Sequence, residues 1–293
     1  MKTGCGDRMT LESGALYVVA TPIGNLEDIS ARALRILREV DAIAAEDTRH
    51  TGQLLAHFGI DTPQFSLHEH NEHARIEQVT VRLRDGQSLA LVSDAGTPLI
   101  SDPGFPLVRE LRQQGLKVIP IPGPSSLLAA LSVAGLPTDR FIFEGFLPAK
   151  SAARRQRLQT LSGEERTLVF LEASHRIAET VSDMAEVLGA ERPAVIAREL
   201  TKRFEEVHGA PLGELVAWLD TDPHRVRGEF VVLVQGASAV LTEVDTPEVR
   251  RLLTALLEEL PMGRAVAVAV KATGLKRKAL YELALQLGDK EQL

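Results

Sequence analysis

Through its first half the chain alternates short apolar runs with longer stretches whose apolar residues recur at helical spacing, and few folds accept that order. Residues 16–20 read as a strand, followed by the loop 21–28 and by Leu34, Leu37 and Val40 at helical spacing. Residues 42–45 are the next strand, and a short helix over 54–58 closes at Gly59. A helix over 72–84 stops at Gly86, and 89–92 follows as a buried strand. Residues 105–114 are helical to Gly115, 117–121 form a fourth strand, and 125–134 a helix ending at Gly135. Strands separated by helices must cross over, so the spacing predicts an α/β domain over 15–138 with a mostly parallel sheet covered on both faces.

The pattern restarts after a junction at 141–150. Residues 167–171, 194–198 and 229–234 are strand-like, with helices over 174–188 and 212–219, Ser174 as an N-cap and Gly189 as a stop. A second α/β or α+β domain is therefore expected over 139–238. Beyond it, 247–260, 264–271 and 276–287 read as three short helices in a C-terminal region spanning 239–293, while 1–14 form an N-terminal tail.

Composition narrows the class. With 44% hydrophobic and 25% charged residues in 293, the chain is not disordered. Its longest apolar runs, 15–20 and 230–234, fall far short of a membrane span, and no leader-like segment opens it, so a cytoplasmic protein is expected. The single cysteine, Cys5, excludes a disulfide framework and a cysteine-based zinc site. A balance of 33 basic against 40 acidic residues, with twelve aromatics, argues against nonspecific coating of nucleic acid or a broad stacking platform. Any polyanion would have to be met locally.

Ligands of open parallel sheets bind beyond the strands' carboxyl ends. Three such ends carry glycine- and proline-rich loops: Thr21-Pro22-Ile23-Gly24-Asn25-Leu26, the stretch 93–104 (SDAGTPLISDPG), and Pro122-Gly123-Pro124-Ser125-Ser126 leading into a helix. Glycine lets backbone approach a ligand, proline stiffens the loop, and the helix start at Ser125-Ser126 offers free N–H groups. Three together indicate a small-molecule site rather than simple corners. It is neither a Rossmann nor a P-loop site, since no G-x-G-x-x-G follows a strand and no G-x-x-x-x-G-K-[ST] occurs. Gly123-Pro124-Ser125 lacks the closing glycine of a nucleophile elbow.

Polar clusters add candidates. Glu46-Asp47-Thr48-Arg49-His50 follows the second strand, and Arg198-Glu199-Leu200-Thr201-Lys202 ends a second-domain strand. The run His68-Glu69-His70-Asn71-Glu72-His73 is not H-E-x-x-H, and no metal is expected there. Basic residues gather at Lys150, Arg154, Arg155 and Arg157, at His224, Arg225 and Arg227, and at Lys271, Lys276, Arg277 and Lys278, which is enough for a local polyanion contact.

The residues 16–26 (LYVVATPIGNL), 45–50 (AEDTRH) and 93–104 resemble the tetrapyrrole-methylase superfamily of S-adenosylmethionine enzymes, and within it the ribosomal branch that methylates a cytidine 2′-hydroxyl of 16S rRNA. The likeness continues through 122–126, 143–148 (FEGFLP), Ser174-His175-Arg176, 198–202, 205–209 (EEVHG) and Gly228-Glu229-Phe230, covering 16–234 with a weaker match in the tail. Where the porphyrin and diphthine branches carry a Gly-Asp-Pro type second loop, this chain has Ala95-Gly96-Thr97-Pro98. That departure favours the ribosomal branch. Residues 1–14 have no counterpart, and Met9 is an alternative start.

The resemblance implies two α/β domains with S-adenosylmethionine in the cleft between them, and a homodimer. By position it implies cofactor contacts from Pro22, Gly24, Asp94, Ala95, Gly96, Thr97, Ser125 and Ser126, with Leu171, Glu172, Gly228 and Glu229 as the second-domain wall. A ribose hydroxyl needs a base or a charge that stabilises the alkoxide, and Asp47, His50, Glu199 and Lys202 are the candidates. Arg49, Arg154, Arg155 and Arg198, with Lys276, Arg277 and Lys278 of the tail, are the candidate contacts to 16S rRNA in the small ribosomal subunit. Removal of the chain beyond Ser238 is expected to weaken subunit binding and spare the cofactor. Two rivals keep the same cofactor site: methylation of a tetrapyrrole or other small acceptor, and a noncatalytic ribosome-binding factor.

Overall fold

The computed structural model describes residues 11–68, 71–237 and 246–288. Cys5, Met9, Glu69, His70 and Ser238 lie outside them. The described chain divides into a compact unit up to Gly236 and a second from Ala237. No described helix is long and apolar enough to cross a membrane.

The first unit opens with β1 (Ala15–Val19), a 3-10 turn (Leu26–Asp28), α1 (Ala31–Glu39), β2 (Ala42–Ala45), α2 (Thr48–His57), β3 (Gln64–Ser66), α3 (Glu72–Arg84), β4 (Leu89–Val92), α4 (Phe105–Gln113), β5 (Lys117–Ile121) and α5 (Ser126–Val133). The five strands form one parallel sheet in the order β3-β2-β4-β1-β5. Alternation along β1 sends Ala15, Tyr17 and Val19 to one core with Ile36 and Leu37 of α1 and Leu55 of α2. Leu16 points the other way, to Val79 and Leu83 of α3 and Leu107 and Leu111 of α4. The sheet is thus covered on both faces, as the alternation predicted. Ser30 caps α1 by accepting from Ala33 N at 3.0 Å. Pro120, which lacks a ladder N–H, lies in β5 at the sheet edge.

The chain continues through β6 (Phe141–Phe146), α6 (Ser151–Leu161), β7 (Thr167–Ala173), α7 (Ile177–Leu188), β8 (Pro193–Arg198), β9 (Glu206–Pro211), α8 (Leu212–Asp220) and β10 (Glu229–Val234). Their order is β6-β7-β10-β8-β9, antiparallel except for the β6–β7 pair. One face packs on α6, α7 and α8; the other packs on Ala130 and Leu131 of α5 and on Ile23, from the loop after β1. The expected junction at 141–150 is in part a strand. Its pattern is broken by a register shift between Phe143 and Gly145, where Gly145 has φ +64°. Ser174 does not cap α7: residues 174–176 form a turn, because β7 runs on to Ala173 and Arg176 is drawn to Glu172 and to the Leu147 carbonyl at 2.7 Å.

The second unit holds α9 (Pro247–Glu259), α10 (Met262–Thr273) and α11 (Arg277–Gly288) around Leu253, Val266, Ala269, Leu280 and Leu283. Thr246 caps α9, and Gly274, left-handed at φ +70°, ends α10.

Candidate functional site

The loops after β1 and β4 leave neighbouring strands and are stitched together. Thr21 N donates to Gly96 O at 2.9 Å, and Gly96 N to Thr21 O at 3.1 Å. A side chain at Gly96, where φ is +84°, would press on Ile23. Thr97 donates its hydroxyl to the Pro124 carbonyl at 3.0 Å, linking this loop to the start of α5. The loop also holds Leu99 and Ser101 at φ 73° and 68°, and Glu199 and Thr201, beyond β8, are left-handed too at 50° and 66°. Each such residue costs on the order of 1–3 kcal/mol, held by the surrounding contacts, and such strain gathers where a site needs a fixed backbone.

These loops and the β7, β8 and β10 ends of the second sheet enclose a cavity of about 320 Å³. Its walls are apolar at Ile23, Leu171, Leu200 and Val231, and acidic at Glu46, Asp94, Asp102, Glu172 and Glu229. Asp94 accepts from Asp47 N at 3.1 Å and donates its own N–H to Glu46 at 3.4 Å, which ties the β2 end to the β4 loop. Burial raises the Glu46 pKa above its ordinary value, and the charges of Asp102 and Asp94 raise it further. Burial likewise raises Asp102, the Asp94 charge adding and a Ser93 hydrogen bond opposing. Glu172 and Glu229 are paired with Arg176 and Lys202, whereas Glu46 and Asp102 make no ion pair among the described residues, so these two are the carboxyls a positively charged guest would complement.

The sign of this effect gives a testable outcome. For an acid whose pKa is raised in the fold, ionisation opposes folding; the cost is absent below the ordinary pKa and complete above the raised one. Stability attributable to Glu46 and Asp102 therefore falls as pH rises through that window. Asp102→Asn is expected to raise Tm at pH 7 by about 2 °C, a gain that vanishes below about pH 4. Thermal melts of both proteins across pH check it, and an unchanged or lower Tm at pH 7 contradicts it.

A second cavity of about 400 Å³ shares Ile23, Asp94, Ala95 and Glu229 with the first. It adds Pro22, Gly24 and Leu26 from the β1 loop, His50, Gln53, Leu54 and His57 from α2, and Lys202. The Lys202 ammonium donates to Glu199 at 2.9 Å and Glu229 at 3.0 Å. Its stem runs so close to Gly24 that a Cβ there would sit 2.3 Å from Lys202 Cγ. Burial works against the charged ammonium, but the two carboxylates prevail and raise its pKa. Lys202 is therefore a fixed positive charge, not a base. Burial would raise Glu199, yet the hydrogen bonds from Lys202 and from Glu229 N hold it below the ordinary carboxylate range. Gly228, at φ +101°, is the residue over which Glu199 folds, since a Cβ there would meet its carboxylate at 2.6 Å.

The expected site residues separate accordingly. Asp94, Ala95, Ser126, Leu171, Glu172 and Glu229 line the first cavity; Pro22, Gly24, His50 and Lys202 line the second. Gly96, Thr97, Ser125 and Gly228 line neither and shape the loops instead. Ser125 opens α5 by accepting from Ala129 N at 2.9 Å. Asp47 caps α2 and grips Arg49 at 2.6 Å; the Arg49 hydrogen bonds pull its pKa well below the carboxylate range, leaving it a poor base. Glu46 and Asp102 carry the unusual electrostatics, yet sequence reasoning assigned neither a role, although both stand inside the quoted motifs.

Three of the expected RNA contacts are engaged within the fold. Arg154 is buried, with 1% of its side chain exposed, and binds Asp183 at 2.6 Å; Arg155 takes the other oxygen at 2.6 Å and Glu186 at 2.6 Å. Arg198 bonds the His224 and Arg227 carbonyls and Glu206. A run of basic residues on an amphipathic element pairs inward when acids face it, and α7 supplies them here. Arg49 stays 87% exposed though paired, and Lys276, Arg277 and Lys278 are exposed. In the 68–73 run, Asn71 lies 3.3 Å from His68 Nε2; among the described residues no three His, Cys, Asp or Glu side chains could hold a metal.

Comparison with known proteins agrees with this architecture. The profile of the tetrapyrrole (corrin/porphyrin) methylases matches residues 15–216, and that of the RsmI C-terminal HTH domain matches 243–288. Ribosomal RNA small subunit methyltransferase I of Pseudomonas aeruginosa is 55% identical, over 94% of this chain and 98% of that protein. The protein of the same name from Xylella fastidiosa is 58% identical, over 92% and 98%. In solved structures the fold resembles cobalt precorrin-4 methyltransferase CbiF, with TM-score 0.58 and 17% identity over 76% of this chain and 95% of that one. It also resembles uroporphyrin-III C-methyltransferase from Thermus thermophilus in complex with S-adenosyl homocysteine, with TM-score 0.52 and 20% identity over 75% and 97%. Sharing more than half its residues with such relatives along nearly its whole length, the chain belongs to the tetrapyrrole methylase family and, within it, to the ribosomal RNA small subunit methyltransferase I group.

Proposed function

We propose that the chain uses S-adenosylmethionine to methylate the ribose 2′-hydroxyl of a decoding-centre cytidine in 16S rRNA, acting in the cytoplasm on the assembled small subunit. Methylation of small-subunit ribosomal RNA follows from the group to which it belongs. The oxygen acceptor rests on one observation: a fixed ammonium, Lys202, and an imidazole, His50, line the cavity that adjoins the acidic one. A hydroxyl is a poor nucleophile until its proton has somewhere to go, and a nearby positive charge lowers the cost of the oxyanion.

The acidic cavity suits the cofactor. Glu46 and Asp102 offer carboxyls that make no ion pair among the described residues, and Ile23, Leu171 and Leu200 offer apolar walls. When bound, S-adenosylmethionine supplies a methyl group on a sulfonium that already carries its leaving group. The chain's own residues then have three tasks. The cavity walls exclude water and fix the approach. His50 accepts the hydroxyl proton, and Lys202 stabilises the developing oxyanion. Asp47 and Glu199, both held low by their hydrogen bonds, are positioning residues for Arg49 and Lys202.

For docking, Lys271, Lys276, Arg277 and Lys278 cluster about the α10–α11 turn and are exposed, while Leu275, Leu280 and Leu283 occupy the core of their own unit. Reversing Lys276, Arg277 and Lys278 to Glu is expected to weaken subunit binding and to flatten its dependence on log salt by about 2, with cofactor affinity unchanged. Binding titrations at several salt concentrations check this; an unaltered slope removes the tail from the interface. A homodimer is supported by Ile100 and Phe146, exposed by 42% and 56% at the acidic cavity, where a second copy would cover them. Sedimentation velocity tests it.

The deciding experiment uses cofactor with a labelled methyl group, with subunits and naked 16S rRNA from cells lacking this gene. A 2′-O-methyl group removes the hydroxyl that attacks the neighbouring phosphate, so alkaline hydrolysis should leave one protected decoding-centre position, in subunits only. Label without a protected position means base methylation. No label despite cofactor binding means a small acceptor or a noncatalytic factor.

A further inference from the structure

Resting on the cofactor's place in the acidic cavity, we propose that Glu46 and Asp102 make that cavity selective for the charged sulfonium over the neutral thioether that remains once the methyl group has gone. Five carboxyls line the cavity, and among the described residues no Lys, Arg or His does. Glu172 accepts from the Thr180 hydroxyl at 2.6 Å and pairs with Arg176, and Glu229 pairs with Lys202 at 3.0 Å. Asp94 accepts from the Asp47 N–H at 3.1 Å. Glu46 accepts from the Asp94 N–H at 3.4 Å and Asp102 is bonded to Ser93, both neutral donors. Burial and neighbouring carboxylate charge disfavour the ionised forms of these two. A cation beside them relieves that cost, and a neutral guest does not.

The cofactor has two positive centres, an ammonium and the sulfonium, and the acidic wall suits the second. The ammonium shares its carbon with a carboxylate, so setting it against Glu46 and Asp102 would bring a further negative charge up to both. The sulfonium has no anion attached to its own carbons. Glu46 is bonded to Asp94, which stands in the wall shared with the second cavity, and the methyl group must leave through that wall. The sulfur is therefore the centre that comes nearest the pair. The amino-acid end is left for Ser126, at the start of α5, where free N–H groups suit a carboxylate. With the bonding pair left on sulfur after transfer, Glu46 and Asp102 lose their counter-charge, and the product's hold on the cavity weakens.

The test is calorimetry on the full chain with S-adenosylmethionine, S-adenosylhomocysteine and sinefungin, an analogue with a protonated amine in place of the sulfonium. Asp102→Asn keeps the side-chain volume and is the variant expected to melt higher at pH 7, so a loss of affinity does not come from unfolding. It should weaken both cationic ligands about tenfold and the thioether less than about twofold, and Glu46→Gln should do the same. Equal weakening of all three ligands sets the carboxyls against the ammonium and overturns the inference, as does no weakening of any. Leu171→Trp, which fills the cavity from β7, decides the underlying reading. If it blocks all three ligands, the cofactor stays in this cavity even where the carboxyl variants overturn the inference. If it melts as the wild type does and binds all three unchanged, the cofactor lies elsewhere and both fall.

Discussion

Lys202→Met is expected to lower kcat for subunit methylation by about 10²–10³-fold while leaving the Kd for cofactor within about twofold. The size follows from geometry. Lys202 is anchored by two carboxylates, so its charge is in place before the reaction and needs no rearrangement as the oxyanion develops. Methionine preserves the stem that lies along Gly24 and removes only the charge. Two companions separate charge from position. Gly24→Ala retains the ammonium but pushes a methyl group into the Lys202 stem, and should cost about tenfold in kcat by displacement alone. Glu199→Gln keeps an acceptor for Glu229 N at 3.0 Å yet loosens the ammonium, and should fall between them. Single-turnover rates on subunits, with cofactor affinity by calorimetry, check the series. Full activity in Lys202→Met would remove Lys202 from the reaction.

Arg154→Met is expected to destabilise the first unit by about 3 kcal/mol, lowering Tm by about 6–12 °C. Arg154 and Asp183 are both almost entirely buried, at 1% and 3% exposure, and join α6 to α7 through a 2.6 Å contact. Truncating one partner strands the other's charge. Arg155, 2.6 Å from one Asp183 oxygen, and the Ser151 hydroxyl, 3.1 and 3.2 Å from the two, keep the loss near the lower end of what buried pairs cost. Burial would raise the Asp183 pKa, but its arginine and serine hydrogen bonds lower it. Its stabilisation is therefore complete above the ordinary carboxylate pKa and is lost as pH falls through the lowered one. The variant's deficit should be full at pH 7 and shrink toward about pH 4, where the stranded carboxyl takes a proton. Adding Asp183→Asn should recover part of the Tm at pH 7. Melting curves test this against the RNA-contact expectation, which predicts weaker subunit binding with no change in Tm.

Four strands of the parallel sheet, β1, β2, β4 and β5, were legible because each is a short apolar run bounded by turn residues, and buried strands advertise themselves that way. Three others were not. β3 has only three residues, Gln64, Phe65 and Ser66, with no alternation to detect. β6 is interrupted at Gly145 by its register shift, and β9 is an edge strand of small and polar residues. All three exist through pairing with a strand elsewhere in the chain, which local patterning does not record.

The site divides along the same line. Alternation, loop composition and motif order determined by themselves the α/β class, the strand ends that carry the site, and the family. These are properties of neighbours in sequence, set by backbone preference and hydrophobic period. Tertiary structure alone decided what the charges do. Arg154 belongs to a reactive-looking basic run until α7 brings Asp183 against it. Glu46 and Asp102, 56 positions apart by their numbering, become one electronegative wall only when β2 and β4 lie side by side. Lys202 becomes a fixed cation only between Glu199 and Glu229, with Gly24 making room from the other sheet's loop. A charge is governed by burial and by the partners within a few ångströms, and folding draws those from distant parts of the chain.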